Sequence, residues 1–235
     1  MGLLRRFPGV FFEPRRTFVS LAERPVWIDA LILVLVALIG FSLAVAPYMQ
    51  QDNLKLIKDS ASLKDSLGED AYNKLIDQTE HPSRMSQIVR TFVQTPLFYL
   101  AALLVQSLIL LILGRLLSTQ GIYVQVLAAL IHASFIDKVL GNAVRVVLAL
   151  ARKSYMQTST GLALLFPKLE VTSTAYIMLT QVDLFQLWMF GVLAFGLSAI
   201  FKMPLKKALL LSYGMWLLKA LTNILIGVIM MSFLR

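Results

Sequence analysis

The long apolar runs of this chain are the feature that most limits the folds open to it. Each run holds close to twenty mostly apolar residues, the length that an α-helix needs to cross the hydrocarbon core of a bilayer. Hydrophobic residues make up 58% of the sequence and charged residues only 15%, whereas a soluble domain carries about 25% charged residues. Because backbone groups find no water inside a bilayer, such runs must be helical. The sequence therefore predicts an all-α polytopic transmembrane helical bundle.

The positions of these runs predict about five spans. They cover residues 28–46, 97–113, 122–140, 184–201 and 208–233. The third run is interrupted by polar residues after Ile136, so it either continues as a helix to about residue 150 or bends near Gly141 to lie at the interface. Residues 49–90 carry charges of both signs and sparse apolar residues. They predict a helical extramembrane loop, broken near Gly68 and at Pro82.

The distribution of Lys and Arg predicts how the chain is oriented. A basic, amphipathic segment, residues 1–27, precedes a single membrane domain, residues 28–235. A short turn that contains Lys202, Lys206 and Lys207 joins the last two spans. Basic residues beside span ends stay on the cytoplasmic side of a membrane. We therefore expect a cytoplasmic N-terminus and an extracytoplasmic 49–90 loop.

The N-terminal segment interleaves arginines with phenylalanines, a pattern typical of contact with anionic headgroups or a cytoplasmic partner. Alternatively, it serves only as a topology signal whose rings dip into the headgroup layer. We attribute the net charge of +9 to basic residues at the membrane surface, where they act as topology signals and contact headgroups, and we expect no nucleic-acid partner. The candidate contact residues are Arg5, Arg6, Phe11, Phe12, Arg15, Arg16 and Phe18.

Five charged residues fall within or beside the apolar runs, where a charge costs about 2.5–3.5 kcal/mol at a span centre. Each needs a partner, a hydrated cavity or a route to the surface. The set either lines a path for a proton or solute, or forms structural ion pairs and interfacial contacts. Its members are Asp137, Lys138, Arg145, Asp183 and Lys219.

Catalytic and cofactor motifs are not evident in the sequence. The chain has no cysteine and two histidines, and no phosphate-binding or metalloprotease pattern occurs. The stretch from Gly196 to Ala199 is similar to the serine motif of intramembrane proteases, with His132 as a conceivable base. It lacks the second glycine, and the spacing of Ala194 and Ser198 favours close helix packing. We expect neither an enzyme nor a bound metal or cofactor.

Two blocks of sequence resemble the bacterial branch of the Yip family. The first runs from Phe12 through Pro14, Thr17 and Phe18 to the Pro25-Val26-Trp27 entry of the first span. The second runs from Val182 to Trp188 and is followed by Gly196-Leu197-Ser198, Lys207-Ala208 and Trp216. The resemblance implies five spans, a cytoplasmic N-terminus and, for the bacterial branch, an inner-membrane protein. Eukaryotic members are linked to vesicle traffic and Rab-type GTPases, but their Asp-Leu-x-Gly-Pro motif is missing here.

The leading functional hypothesis is a non-enzymatic membrane protein of Yip type that organises the membrane or partner proteins through its cytoplasmic face. Its expected partners are anionic lipids, together with a protein partner or a second copy of the chain. The alternative is a channel or carrier for an ion or small solute, for which Asp137, Asp183 and Lys219 must converge on one cavity. An intramembrane hydrolase is the third and weakest hypothesis.

Overall fold

The computed structural model describes residues 1–232, without the side chains of Ala61 and Gln157. Helices account for 84% of the structure, and the described residues contain one isolated β-bridge, between Gly161 and Asp183, but no strand. The all-α fold is therefore confirmed. The α-helices are α1 (Leu3–Phe12), α2 (Pro14–Glu23), α3 (Ile28–Asp59), α4 (Ala61–Leu67), α5 (Glu69–Glu80), α6 (Arg84–Val89), α7 (Thr95–Leu117), α8 (Tyr123–Ala133), α9 (Asn142–Arg152), α10 (Thr174–Gln181), α11 (Leu184–Phe201) and α12 (Leu205–Ser232).

Wider helical turns and short 3-10 turns complete the secondary structure. A π-helical turn, Arg90–Gln94, joins α6 to α7, and a second, Phe135–Gly141, lies between α8 and α9. Two 3-10 turns, Met156–Thr158 and Leu162–Leu165, precede α10. A π-turn keeps a helix running while it absorbs an extra residue, so α6–α7 and α8–α9 each form one long helical element.

Five helical elements are long and apolar enough to cross a membrane among the residues that the structure describes, which confirms the prediction of about five spans. They are Ile28–Asp59, Arg84–Leu117, Tyr123–Arg152, Leu184–Phe201 and Leu205–Ser232. The third element remains helical past residue 140, with the π-turn at the point where the sequence left two alternatives. The first extends well beyond residue 46, through Pro47. Phe233, the predicted end of the last span, lies outside the described residues.

Local sequence accounts for the breaks between helices α3 and α6. Gly68 has a φ of 75°, a left-handed conformation that favours glycine, and it separates α4 from α5. The hydroxyls of Ser60 and Ser83 accept hydrogen bonds from the amides of Leu63 and Ser86. Serine in this position satisfies an amide that the first helical turn leaves unpaired. The predicted breaks near Gly68 and Pro82 are thereby confirmed.

The chain forms two compact units, of which unit 1 comprises Met1–Leu38, Pro96–Asn142 and Leu184–Lys219. Within unit 1, α11 packs against α2, α8 and the Phe135–Gly141 turn, and α1 packs against α2 and α8. Its hydrophobic core includes Val10, Phe18, Phe135, Phe190 and Leu193. The N-terminal helices are therefore part of this packed unit.

Unit 2 comprises Ile39–Thr95, Ala143–Asp183 and Ala220–Arg235. Within it, α4 contacts α5, and α10 contacts the Leu162–Leu165 turn. The amide of Leu162 donates to the carbonyl of Val182 at 3.0 Å. This bond and the bridge between Gly161 and Asp183 fix the segment that precedes the fourth spanning helix.

Candidate surface and buried charged groups

Helices α1 and α2 each have one face in the core of unit 1 and one face exposed. The buried face of α1 carries Arg6, Gly9 and Val10, and that of α2 carries Thr17, Phe18 and Leu21. Leu3, Phe7 and Phe11 flank the buried face of α1 and pack partly against the core, and at 100° per residue other side chains of both helices point away from it. We call their exposed basic and apolar members the outer surface: Leu4, Arg5, Phe12, Arg15, Arg16 and Val19.

The outer surface contains large apolar side chains that are unusually exposed. Leu4 is 93% exposed and Phe12 is 85% exposed, the highest values for large hydrophobic residues among those described. An open groove lies beside Phe12, and its wall is completed by Glu13, Pro14, Arg15, Arg16 and Val19. Apolar rings framed by arginines match the boundary between lipid headgroups and acyl chains.

The positive charges of the outer-surface arginines are hardly neutralised by acidic side chains of the protein. Arg16 pairs with Glu13 at 3.3 Å, and such exposed pairs are worth under about 1 kcal/mol. Arg5 and Arg15 make no ion pair within the described part of the chain. Their charges are therefore available to an external anionic group.

Two of the candidate contact residues lie inside unit 1 and need correction. Phe18 is 1% exposed and Arg6 is 3% exposed, so neither is presented on the surface in this structure. A sequence strip of alternating Arg and Phe hides this difference, because helical periodicity assigns consecutive residues to different faces. Phe11 is half-buried, and its ring packs edge-on to Trp188 with a centroid distance of 5.8 Å.

Arg6 is instead the centre of a buried polar cluster. One of its amino groups, Nη1, lies 2.7 Å from Nε2 of His132 and 3.2 Å from the carbonyl oxygen of Val26, to which it donates. The other, Nη2, forms an ion pair with the carboxylate of Asp29. Asp29 is not among the residues predicted from the sequence. The only signal for it was its place in the first turn of α3, where acidic residues complement the helix dipole.

The predicted intramembrane charges all have partners within their own units. In unit 1, Lys138 pairs with Asp137 at 2.8 Å, and Lys219 donates to the side-chain oxygen of Gln186 at 2.8 Å. In unit 2, Arg145 pairs with Asp183 at 3.1 Å. Asp183 also accepts a hydrogen bond from the hydroxyl of Thr160. Local pairing of this kind satisfies charges that would otherwise be costly in an apolar setting.

Asp52 is a structural residue that the sequence did not single out. Its carboxylate accepts from the Ser154 hydroxyl at 3.0 Å and from the amides of Tyr155 and Met156 at 2.7 and 2.9 Å. Nearby, burial raises the pKa of the Tyr176 phenol, which remains a donor to the carbonyl of Met156. One carboxylate thus fixes the turn that follows α9. Only long-range folding brings Asp52 to this segment.

Ser198 and His132, the two residues of the hydrolase hypothesis, each form hydrogen bonds with other groups. The hydroxyl of Ser198 donates to the carbonyl of Met203 at 2.7 Å, which closes the end of α11. Nδ1 of His132 bonds to the carbonyl of Ala128 at 2.8 Å, and Nε2 faces Arg6. A nucleophilic serine needs a base within hydrogen-bonding reach, and neither described contact supplies one. Within residues 1–232, no group of three or more His, Cys, Asp or Glu is arranged to hold a metal.

Comparison with known proteins identifies the family. The model of the Yip1 domain matches residues 9–227, which is nearly the entire chain. The chain belongs to the Yip family. No curated protein and no solved structure matched the sequence.

The Yip match includes α2, the first four long apolar helices and most of the fifth, together with Phe12, Arg15 and Arg16. Leu4, Arg5 and Arg6 precede the matched range. Together, the family match and the apolar helices establish a membrane protein of the Yip family. The partners of Arg6, which are Val26, Asp29 and His132, lie within the matched range.

Proposed function

We propose that this Yip-family protein organises the membrane or its protein partners without catalysing a reaction, and that the outer surface of α1 and α2 makes the contact. The observation that carries the proposal is the exposure of Phe12 beside Arg15 and Arg16. An exposed ring can enter the headgroup layer, while each arginine gains about 1 kcal/mol near an anionic surface. The first ligand class is therefore the anionic phospholipid headgroup.

We further propose that this surface faces the cytoplasm, in the inner membrane of a bacterium of the branch that the sequence resembles. Most of the excess of basic over acidic residues belongs to unit 1. Unit 1 contains the exposed Arg5, Arg15 and Arg16 as well as Lys202, Lys206 and Lys207. The positive-inside rule supports a cytoplasmic position for such residues.

Lipid contact is tested by neutralising only the exposed arginines. The variant Arg5→Gln/Arg15→Gln/Arg16→Gln is compared with wild type in nanodiscs that contain phosphatidylcholine and phosphatidylglycerol. Native mass spectrometry then measures which lipids remain bound to the intact protein. We expect phosphatidylglycerol to be enriched around wild type and the enrichment to fall in the variant.

The matched control is Lys55→Gln/Lys74→Gln/Arg84→Gln, which removes the same charge from exposed positions of unit 2. It should retain the enrichment. Equal lipid retention by both triple variants would contradict a specific lipid contact. Purification in native lipids, followed by mass spectrometry, reveals any protein partner that is lost with the same three arginines.

Orientation is tested separately, and the absence of cysteine from the sequence makes the test simple. Phe12→Cys introduces a single thiol at an exposed site. A membrane-impermeant maleimide should label it in inverted membrane vesicles and leave it unlabelled in intact spheroplasts. The reverse pattern would place the N-terminus outside the cytoplasm.

A further inference from the structure

The contact between Arg6 and His132 joins two helices that are far apart in the sequence. Arg6 lies on α1 and His132 on α8, and their side-chain nitrogens are 2.7 Å apart. Both residues are buried: Arg6 is 3% exposed and His132 is 0% exposed. The polar link therefore fastens the N-terminal helix to the core of unit 1.

The hydrogen bonds assign a single protonation state to His132. A guanidinium group has only donors, so Nε2 of His132 must be the acceptor. Nδ1 must then carry the ring proton, which it donates to the carbonyl of Ala128 at 2.8 Å. The ring is neutral in this arrangement. A second proton could enter only at Nε2, where it would remove the acceptor and bring two positive groups together.

The charged environment of His132 is limited to a few groups. Arg6 from α1 and Asp29 from α3 face the ring. The charged side chains of α2 lie on its exposed face, and α11 contains no charged residue. In the adjoining π-turn, Asp137 and Lys138 pair with each other. Asp29, the anionic partner of Arg6, is 40% exposed, so water reaches the edge of the cluster.

We infer that Arg6, Asp29 and His132 form a proton-sensitive latch, in which protonation of His132 expels Arg6 and releases α1 from α8. The proton binds to Nε2, and the hydrogen bond from Arg6 to the ring is broken. The guanidinium group then keeps its ion pair with Asp29 and turns toward water. The buried Nε of Arg6 already has no hydrogen-bond partner, which lowers the cost of its departure. Release of α1 moves Leu4, Arg5 and Phe12 away from their docked positions. No lipid takes part in this step, so it is independent of the proposed lipid contact.

Distance measurements on the full-length protein test the latch. Spin labels are attached at Leu4→Cys on α1 and at Thr119→Cys in the turn before α8, both exposed positions of unit 1. Pulsed electron paramagnetic resonance records the distance distribution in phosphatidylcholine nanodiscs at about pH 8 and about pH 3.5. The lower value is set well below the range in which histidine usually titrates, because burial and the neighbouring Arg6 oppose a second proton on His132. We expect one narrow distribution at high pH and a broadened, longer one at low pH. An unchanged distribution in wild type would overturn the inference.

The two histidines of the chain provide a matched pair of variants. His132→Gln cannot titrate and should keep the narrow distribution at both pH values. His81→Gln changes an exposed histidine of unit 2 and should respond to acid as wild type does. Equal broadening in His132→Gln and in wild type would assign the acid response to another group and overturn the inference.

A variant of Arg6 provides an independent test if His132→Gln does not fold to a monodisperse protein. Arg6→Gln retains a donor for His132 but removes the like charge that opposes the second proton. Its distance distribution should change less between the two pH values than that of wild type. A response as large as that of wild type would contradict the latch.

Discussion

Arg5 and Arg6 are consecutive residues of α1, yet the side chain of Arg5 is exposed whereas Arg6 is 3% exposed and bonded to His132. Successive side chains of an α-helix point about 100° apart. Arg6 therefore shares the buried face with Gly9 and Val10, while Arg5 and Phe12 share a different, exposed face. One basic strip in the sequence has two physical roles.

The first prediction compares these two neighbours. Arg6→Ala should lower the free energy of unfolding by about 1–3 kcal/mol, because the buried Nε2 of His132 loses its donor. Arg5→Ala should change it by less than about 0.5 kcal/mol, as expected at an exposed site. Unfolding in mixed micelles with increasing dodecyl sulfate, followed by tryptophan fluorescence, measures both. A larger loss in Arg5→Ala than in Arg6→Ala would refute the assigned burial.

The second prediction concerns Gly196, where α11 approaches α2 and α8. A Cβ atom at this position would lie 2.9 Å from Cδ1 of Phe18 and 3.0 Å from Cβ of Ala129. Gly196→Ala should therefore destabilise the protein by about 1–3 kcal/mol through overpacking. Gly214→Ala is the control, because a Cβ there has open space and alanine favours helix by up to about 1 kcal/mol. The same unfolding assay should rank Gly196→Ala below wild type and Gly214→Ala level with it or above it.

The third prediction concerns the ion pair between Arg145 and Asp183, whose side chains are 14% and 5% exposed. Removing one partner leaves a buried charge, which costs about 3–5 kcal/mol. Arg145→Met and Asp183→Asn should each destabilise the protein. The double variant should lose less than the sum of the two. Additive losses in this double-mutant cycle would show that the two side chains do not interact.

The double variant Arg145→Met/Asp183→Asn also tests the channel hypothesis. If Arg145 and Asp183 act only as a structural pair, the double variant should keep the ion and solute permeability of wild type in proteoliposomes. A selective loss of flux in a folded double variant would support a transport pathway instead.

The fourth prediction concerns Asp52 and the turn after α9. Asp52→Ala removes the acceptor of the Tyr155 and Met156 amides, so both should exchange with deuterium faster. Asp77→Ala, at an exposed position of α5, should leave their exchange unchanged. Hydrogen exchange with peptide-level mass spectrometry provides the measurement. Unaltered protection in Asp52→Ala would show that other contacts hold this turn.

The sequence predicted the helical class and the number of apolar helices because both follow from local composition. A run of apolar residues must satisfy its own backbone hydrogen bonds, so residues 184–201 predict a helix with the bounds of α11. Breaks at Gly68 and before α6 were predictable for the same reason, since φ preferences and serine caps act within a few residues. The helical continuation of the third element was not, because Asp137 and Lys138 interrupt its apolar run while their pairing keeps them in the helix.

Contacts between residues that are far apart in the chain could not be predicted from the sequence. Periodicity could place Arg6 and Arg5 on different faces of a helix, but it could not show which face would be buried against α8. Likewise, Asp52 is separated from Tyr155 by a long stretch of chain, and nothing in its own surroundings marks it as an acceptor. The sequence leaves Ser198 open to a role as a nucleophile, whereas the structure shows its hydroxyl bonded to the carbonyl of Met203.

By itself, the sequence determined a membrane-embedded helical protein, since the transfer of apolar side chains out of water depends on composition and run length. The tertiary structure alone decided which charged and aromatic residues are available to a partner. It buried Arg6 and Phe18 and left Arg5, Phe12, Arg15 and Arg16 outside. The physical reason is that the burial of a side chain depends on the helix packed against its face, and that neighbour is chosen by contacts across the whole fold.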